Sequence, residues 1–312
     1  RPFITPYSNY GPTDDFRIKP DIAAKGGEIM PNNPTQTDPV ISVGLATVAA
    51  TEQMQGTSMA APAVTGVLTM WQGYHNDLFG RYMKSATVRA LMAHTAREAG
   101  PGRGPDFMFG WGLIDAAKGV DIMNQALDST AIFTEVDLAP SSTFQYEFAY
   151  DGVAPLVATI AWNDPAGTVT PSSTSNLNVK KLVNDLDLRL VNTDTNTEYY
   201  PWSLVQNWAI SHSANNIAVR NVDNVRDNIE KIEPQNAIAG NYKVVVTHKG
   251  ALQGAMQNFS LIISGAGGTM EPVKEGVSIE DVALNNLNIY PNPVNTVLNI
   301  SGDLKVLTGA EA

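Results

Sequence analysis

The chain has 312 residues, no cysteine, 20 basic against 31 acidic side chains and a net charge of −11. That length suggests two compact domains with enough apolar content for two cores. The missing cysteines exclude a disulfide framework and a cysteine-based metal site, and the acidic balance argues against the basic face that nucleic acid requires. The longest apolar run, Val40 to Ala50, is too short to span a bilayer.

In chain order, Gly11-Pro12 and Pro31-Asn32-Asn33-Pro34 predict loops. Met59–Gln72 predicts a helix of small and apolar residues, and Ser85–Glu98 a second with Ser85 as its N-cap. Pro101-Gly102-Arg103-Gly104-Pro105 predicts a loop, followed by a helix over Asp115–Ala126. Near residue 130 the texture changes to short alternating or apolar runs. Strands are predicted at Ile132–Leu138, Thr143–Tyr150, Leu156–Trp162, Leu186–Val191, Ile229–Ile232, Tyr242–Thr247 and Phe259–Ser264. This count, with long loops between, points to an antiparallel β-sandwich of jelly-roll type. Gly265 to Asp281 reads as a linker, and the tail at 284–300 places two alternating strands around Pro291-Asn292-Pro293.

The segment Gly56-Thr57-Ser58-Met59-Ala60-Ala61-Pro62 carries the chemistry. Pro62 has no N–H for the carbonyl four residues back, which costs little only if the helix starts near Ser58. Ser58 therefore lies in the first turn, where unbonded N–H groups and the positive end of the dipole favour a developing oxyanion. The alternative is an ordinary serine N-cap before a buried helix.

Those residues resemble the nucleophile segment of subtilisin-like serine proteases, the subtilase family. Ser8-Asn9-Tyr10-Gly11-Pro12, running on through Arg17-Ile18-Lys19-Pro20-Asp21-Ile22, is similar to the family's segment upstream of the serine. Lys84 to Glu98 is similar to the helix after the nucleophile helix, and Gly110-Trp111-Gly112-Leu113-Ile114-Asp115-Ala116-Ala117 to the close of the catalytic domain. Phe16 and Lys25 depart from the family's usual Gly and Pro and bear on loop geometry. The resemblance implies Ser58 as nucleophile, its N–H as an oxyanion donor, and Gly56 and Thr57 lining the site.

A serine hydroxyl needs a base, and the base needs a carboxylate. In this family both precede the serine. The 57 residues before Ser58 hold neither an Asp-Thr-Gly nor a His-Gly-Thr-His-like segment, and Asn9, Asn32 and Asn33 do not match the oxyanion asparagine. The histidines, His75, His94, His212 and His248, all follow Ser58. The expectation is a fragment that begins inside the catalytic domain and is inactive alone.

The later region resembles the jelly-roll that follows the protease domain in one branch of the subtilases, through Ile160-Ala161-Trp162-Asn163-Asp164-Pro165 and Leu182-Val183-Asn184-Asp185-Leu186-Asp187-Leu188. Asp185 and Asp187 share one strand face. With Asp227 or Glu230 brought near, they suggest a calcium site, the alternative being a solvated face offset by Arg189. The tail, with Tyr290-Pro291-Asn292-Pro293, looks like the start of a type IX secretion sorting domain.

The fold class read from all this is α/β, a partial subtilisin-like catalytic domain, followed by an all-β jelly-roll sandwich. The boundaries are 1–128 for the catalytic part, 131–265 for the sandwich, 266–281 for the linker and 282–312 for the truncated sorting domain. The function implied is a secreted or cell-surface serine endopeptidase acting on protein or peptide substrates. Its expected partner is the type IX secretion machinery. A non-catalytic β-sandwich binding or adhesion protein with a protease remnant is the alternative.

Overall fold

The computed structural model describes residues 2–29, 37–38, 40–43, 51–170, 178–206, 218–266, 288–290 and 299–301. Two compact units divide the chain, Arg1–Val273 and Lys274–Ala312. The linker expected at 266–281 falls, except for Ala266, outside the described residues.

The first unit opens with short antiparallel pairs, β1 (Glu28–Ile29) with β2 (Thr37–Asp38) and β3 (Val40–Val43) with β4 (Thr51–Met54). Three helices follow: α1 (Thr57–Phe79), α2 (Ser85–Thr95) and α3 (Ala116–Leu127). Helix α1 runs seven residues beyond the predicted Gln72 because its second half finds distant partners. Trp71 Nε1 donates to Ala116 O at 2.9 Å and the Tyr74 hydroxyl to Asn124 Oδ1 at 2.6 Å. Gly80, at φ 69°, then ends the helix in the left-handed conformation that favours glycine.

Ser85 does not cap α2. Its hydroxyl accepts from Asn163 Nδ2 at 2.7 Å, Lys84 takes the cap position, and the Glu135 carboxylate receives the Lys84 N–H. Asp115 does cap α3, accepting the Lys118 N–H at 3.1 Å. Between α2 and α3, residues 110–114 thread between two other segments. Ala23 pairs with Leu113 on one side and Arg97 with Leu113 on the other. A Cβ at Gly110 would lie 1.9 Å from Pro20 O, and one at Gly112 2.4 Å from Arg97 O, so Gly110-Trp111-Gly112 is fixed by close backbone approach.

Eight strands follow among the described residues: β5 (Ile132–Leu138), β6 (Phe144–Tyr150), β7 (Val157–Trp162), β8 (Asp185–Asn192), β9 (Thr197–Tyr199), β10 (Ile229–Ile232), β11 (Gly240–Lys249) and β12 (Gln257–Ser264). They form two antiparallel sheets, ordered β10-β7-β12-β5 and β6-β11-β8-β9. Tyr146, Phe148, Leu186, Leu188, Leu190, Tyr242, Val244 and Val246 of one sheet meet Ala158, Ile160, Trp162, Phe259, Leu261 and Ile263 of the other in a common core.

The first of these sheets has a second buried face. Ala161, Ile229 and Ile262 belong to a separate cluster with Leu91, Ala93, Trp71, Met123 and Trp111 of the helical region. With both faces covered, every residue of β7 is buried, and the strand is apolar except for Thr159, whose hydroxyl meets His94 Nδ1 at 2.9 Å. β6 has only one covered face and alternates between buried and exposed residues.

In the second unit, β13 (Asn288–Tyr290) pairs antiparallel with β14 (Asn299–Ser301), Ile289 opposite Ile300. The Pro-Asn-Pro turn between them lies outside the described residues.

Candidate active site

Gly56 sets the start of α1. Its φ of 148° and ψ of 167° are strained for a side-chain-bearing residue, and its N–H donates to Gly26 O at 2.8 Å. A Cβ on Gly26 would lie 2.6 Å from Gly56 O, so two glycines meet backbone to backbone beneath the turn. Gly56 O takes the N–H of Met59 at 3.0 Å and that of Ala60 at 3.4 Å. This places Ser58 second in α1, within the first turn, as the Pro62 argument requires. Among the described residues the N–H groups of Thr57 and Ser58 have no acceptor. The Ser58 side chain is exposed. Beside it, a cleft of about 970 Å³ is lined by Gly56, Thr57, Ala60, Val64, Tyr7 and Phe109.

The candidate nucleophile and its donors are thus together, and the described histidines are committed elsewhere. His75 is buried, with Nδ1 on Arg81 O at 2.7 Å and the ring against Phe79 and Phe133. His94 sits wholly buried between the hydroxyls of Thr159, at 2.9 Å, and Ser264, at 2.8 Å. Burial, reinforced by the ammonium groups of Lys231 and Lys118, holds His94 well below the ordinary imidazole range and so neutral. His248 Nε2 accepts the Ser141 N–H at 2.9 Å. His212 lies outside the described residues.

The candidate calcium ligands do not converge. Asp185 is paired with Lys180 Nζ at 2.5 Å, and Asp187 with Lys249, which also holds Asp223. Glu230, fully buried, reaches past the end of the short β9 and accepts the Leu188 N–H at 2.7 Å. Burial pushes its carboxyl well above the usual range, and nearby Asp187 and Asp185 push it further. Asp227 belongs to another region, where it accepts the Ile18 N–H at 2.7 Å and the Asn224 side-chain amide at 3.0 Å. Burial raises Asp227 to about 6. Among the described residues no three His, Cys, Asp or Glu side chains gather closely enough to hold a metal. Lysine ammonium groups take Asp185 Oδ2 and Asp187 Oδ1, and backbone N–H groups take Glu230 Oε2 and Asp227 Oδ1, while Asp185 Oδ1 and Glu230 Oε1 are buried without a hydrogen-bond partner among the described residues.

Gly26 was not singled out in the sequence, although it supports Gly56. The available signal was the Gly26-Gly27 pair following Pro20-Asp21-Ile22.

Residues 2–112 match the profile of the subtilase family, peptidase S8. "Serine protease/ABC transporter B family protein tagA" of Dictyostelium discoideum is 27% identical over 290 residues, covering 84% of this chain and 15% of that protein. "Serine protease/ABC transporter B family protein tagD" of the same organism is 28% identical over 254 residues, covering 63% of this chain and 14% of that protein. The chain therefore spans about one seventh of the length of these curated relatives. A solved serine protease of Aeromonas sobria is similar over 68% of this chain and 45% of its own, at 13% identity and a TM-score of 0.21.

Proposed function

We propose that this chain is part of a serine endopeptidase of the subtilase family, with Ser58 as the nucleophile. The observation that carries the reading is the combination of the subtilase match over residues 2–112 with an exposed serine in the first turn of α1, beside N–H groups that have no acceptor among the described residues. Ser58 Oγ would attack the scissile carbonyl of a protein or peptide substrate, forming an acyl-enzyme and releasing the amine. The Ser58 N–H would donate to the oxyanion, a contribution worth about 3–4 kcal/mol per donor in such sites. The base that takes the hydroxyl proton is supplied from outside the described residues, in keeping with a family order in which Asp and His precede the serine.

The apolar N-terminal half of α1 supports the same reading. Ala61 and Ala63 stand exposed there, as does Met70 just past the helix midpoint, and a helix that is apolar on most sides is one that other structure covers. The jelly-roll reading of residues 131–265 is supported by the sheet orders β10-β7-β12-β5 and β6-β11-β8-β9, the arrangement produced by two interleaved Greek keys. Secretion or display at the cell surface, through a type IX sorting tail, rests on the Tyr290-Pro291-Asn292-Pro293 segment.

The test is peptidase turnover by the full-length protein. Ser58→Ala is expected to lower kcat by at least about a thousandfold with little change in KM. Turnover within a factor of two of the parent would place the nucleophile elsewhere.

A further inference from the structure

We propose that the cavity formed by the loop at Arg17, the connection after β7 and the turn before β10 is an oxyanion-binding site, with Arg226, Lys181 and Arg17 holding a carboxylate, sulfate or phosphate group. The cavity measures about 410 Å³ and is lined by Arg17, Asp164, Thr168, Lys181, Arg226 and Asn228 among others.

Arg226 is the central observation. It is only 8% exposed, and its Nη2 donates to Asn178 Oδ1 at 2.6 Å and Gln206 Oε1 at 2.8 Å. Among the described residues its buried Nε and Nη1 have no acceptor. A buried guanidinium with two unmet donors and only neutral amide partners is costly unless something anionic completes it.

The chain's own carboxylates nearby are committed. Asp227 accepts from Ile18 and Asn224, and Asp15 from Arg17 and Thr13. Asp164, the acid that lines the cavity, accepts the N–H groups of Val183 and Asn184, both at 2.7 Å. The neighbouring cations keep donors to spare. Lys181 Nζ is bound to Thr168 O at 2.8 Å, leaving two protons, and Arg17 commits its Nε to Asp15. Burial draws Arg226 below its ordinary pKa, with Asp15 and Asp227 offsetting part of that. A planar guanidinium beside an ammonium matches the geometry and charge of an oxyanion.

This inference does not rest on the protease reading. The ligand can be a free inorganic anion or the carboxylate of a peptide, and the test separates them. Thermal melts of the 312-residue chain are run against millimolar phosphate and against N-acetylglutamate amide, with chloride holding ionic strength constant. A saturable rise in Tm is expected with at least one of them. A response to phosphate alone assigns a free anion, and a response to the carboxylate assigns a peptide group. Lys181→Gln should raise the half-saturating concentration about tenfold, and Arg226→Gln should abolish the response. If Arg226→Gln does not fold, Lys181→Gln decides. Melts that respond to neither anion, or that rise equally in Lys181→Gln, overturn the proposal.

Discussion

Helices α1 and α2 are consecutive and similarly rich in small and apolar residues, yet their surroundings are opposite. Nine of the 11 residues of α2 are buried, whereas α1 buries only Trp71 and His75 among its 23. Sheet residues Ala161, Ile229 and Ile262 cover α2 from one side, and its polar groups are met individually. Thr87 bonds Ser260 at 2.8 Å, while Lys231 Nζ reaches the carbonyls of Ala93 and His94 at the helix C-terminus, where a cation is favoured. α1 is held less tightly: Trp71 and His75 of its second half are buried, while Val64 and Val67 of its first half pack only partly buried against the same cluster. Its first turn, with Ser58, is set by the Gly26–Gly56 backbone contact. The difference teaches that α2 is placed by packing and Ser58 by turn geometry.

The comparison breaks most visibly under truncation of apolar residues. Leu91→Ala, in the fully buried middle of α2, is expected to cost about 2–5 kcal/mol in a urea melt. Met70→Ala in α1, 63% exposed, is expected to stay within about 0.5 kcal/mol. Equal costs at both positions would mean that α1 is covered as fully as α2.

The contact between the N-terminal segment and the turn before β10 is sharpened by pH. Asp227 is raised from 3.8 to about 6, so between those values the folded chain keeps a proton that the unfolded chain releases. Its contribution to stability is therefore largest below pH 4 and lost as pH rises through 6. Relative to Asp227→Asn, the parent should lose about 3 kcal/mol between pH 4 and pH 7. A pH-independent difference between the two would show that the carboxyl titrates normally.

His94 should give the opposite sign. Its folded pKa is depressed, so its contribution is complete above the ordinary value of 6.5 and is lost as pH falls below it. His94→Gln should flatten the decline in Tm between pH 6.5 and pH 5, and an unchanged slope would contradict the buried neutral ring. The smallest expected effect is that of calcium. With Lys180 and Lys249 on Asp185 and Asp187, millimolar calcium should leave Tm unchanged, and a saturable rise would show that the ion displaces the lysines.

Local pattern made much of this legible. Ile132–Leu138 and Ile229–Ile232 are strands with the predicted bounds, because their composition and flanking turns are local signals. Pro62 located Ser58 in the first turn for the same reason. What escaped depended on distant partners. Asn163 takes the Ser85 hydroxyl from 78 residues away, and Lys249 reaches Asp187 from 62 away. β9, with exposed Thr197 and Glu198, has no apolar run to announce it and exists by pairing with Leu190–Asn192. Asp185, Asp187 and Glu230 were legible as an acidic group, but their lysine and backbone partners were not.

The central claim is that Ser58 is a nucleophile placed by its turn. The most direct measurement is mass mapping of a fluorophosphonate adduct on the full-length protein. The account predicts a single adduct on the peptide that contains Ser58, lost in Ser58→Ala. An adduct on another serine, or undiminished labelling of the variant, would contradict it.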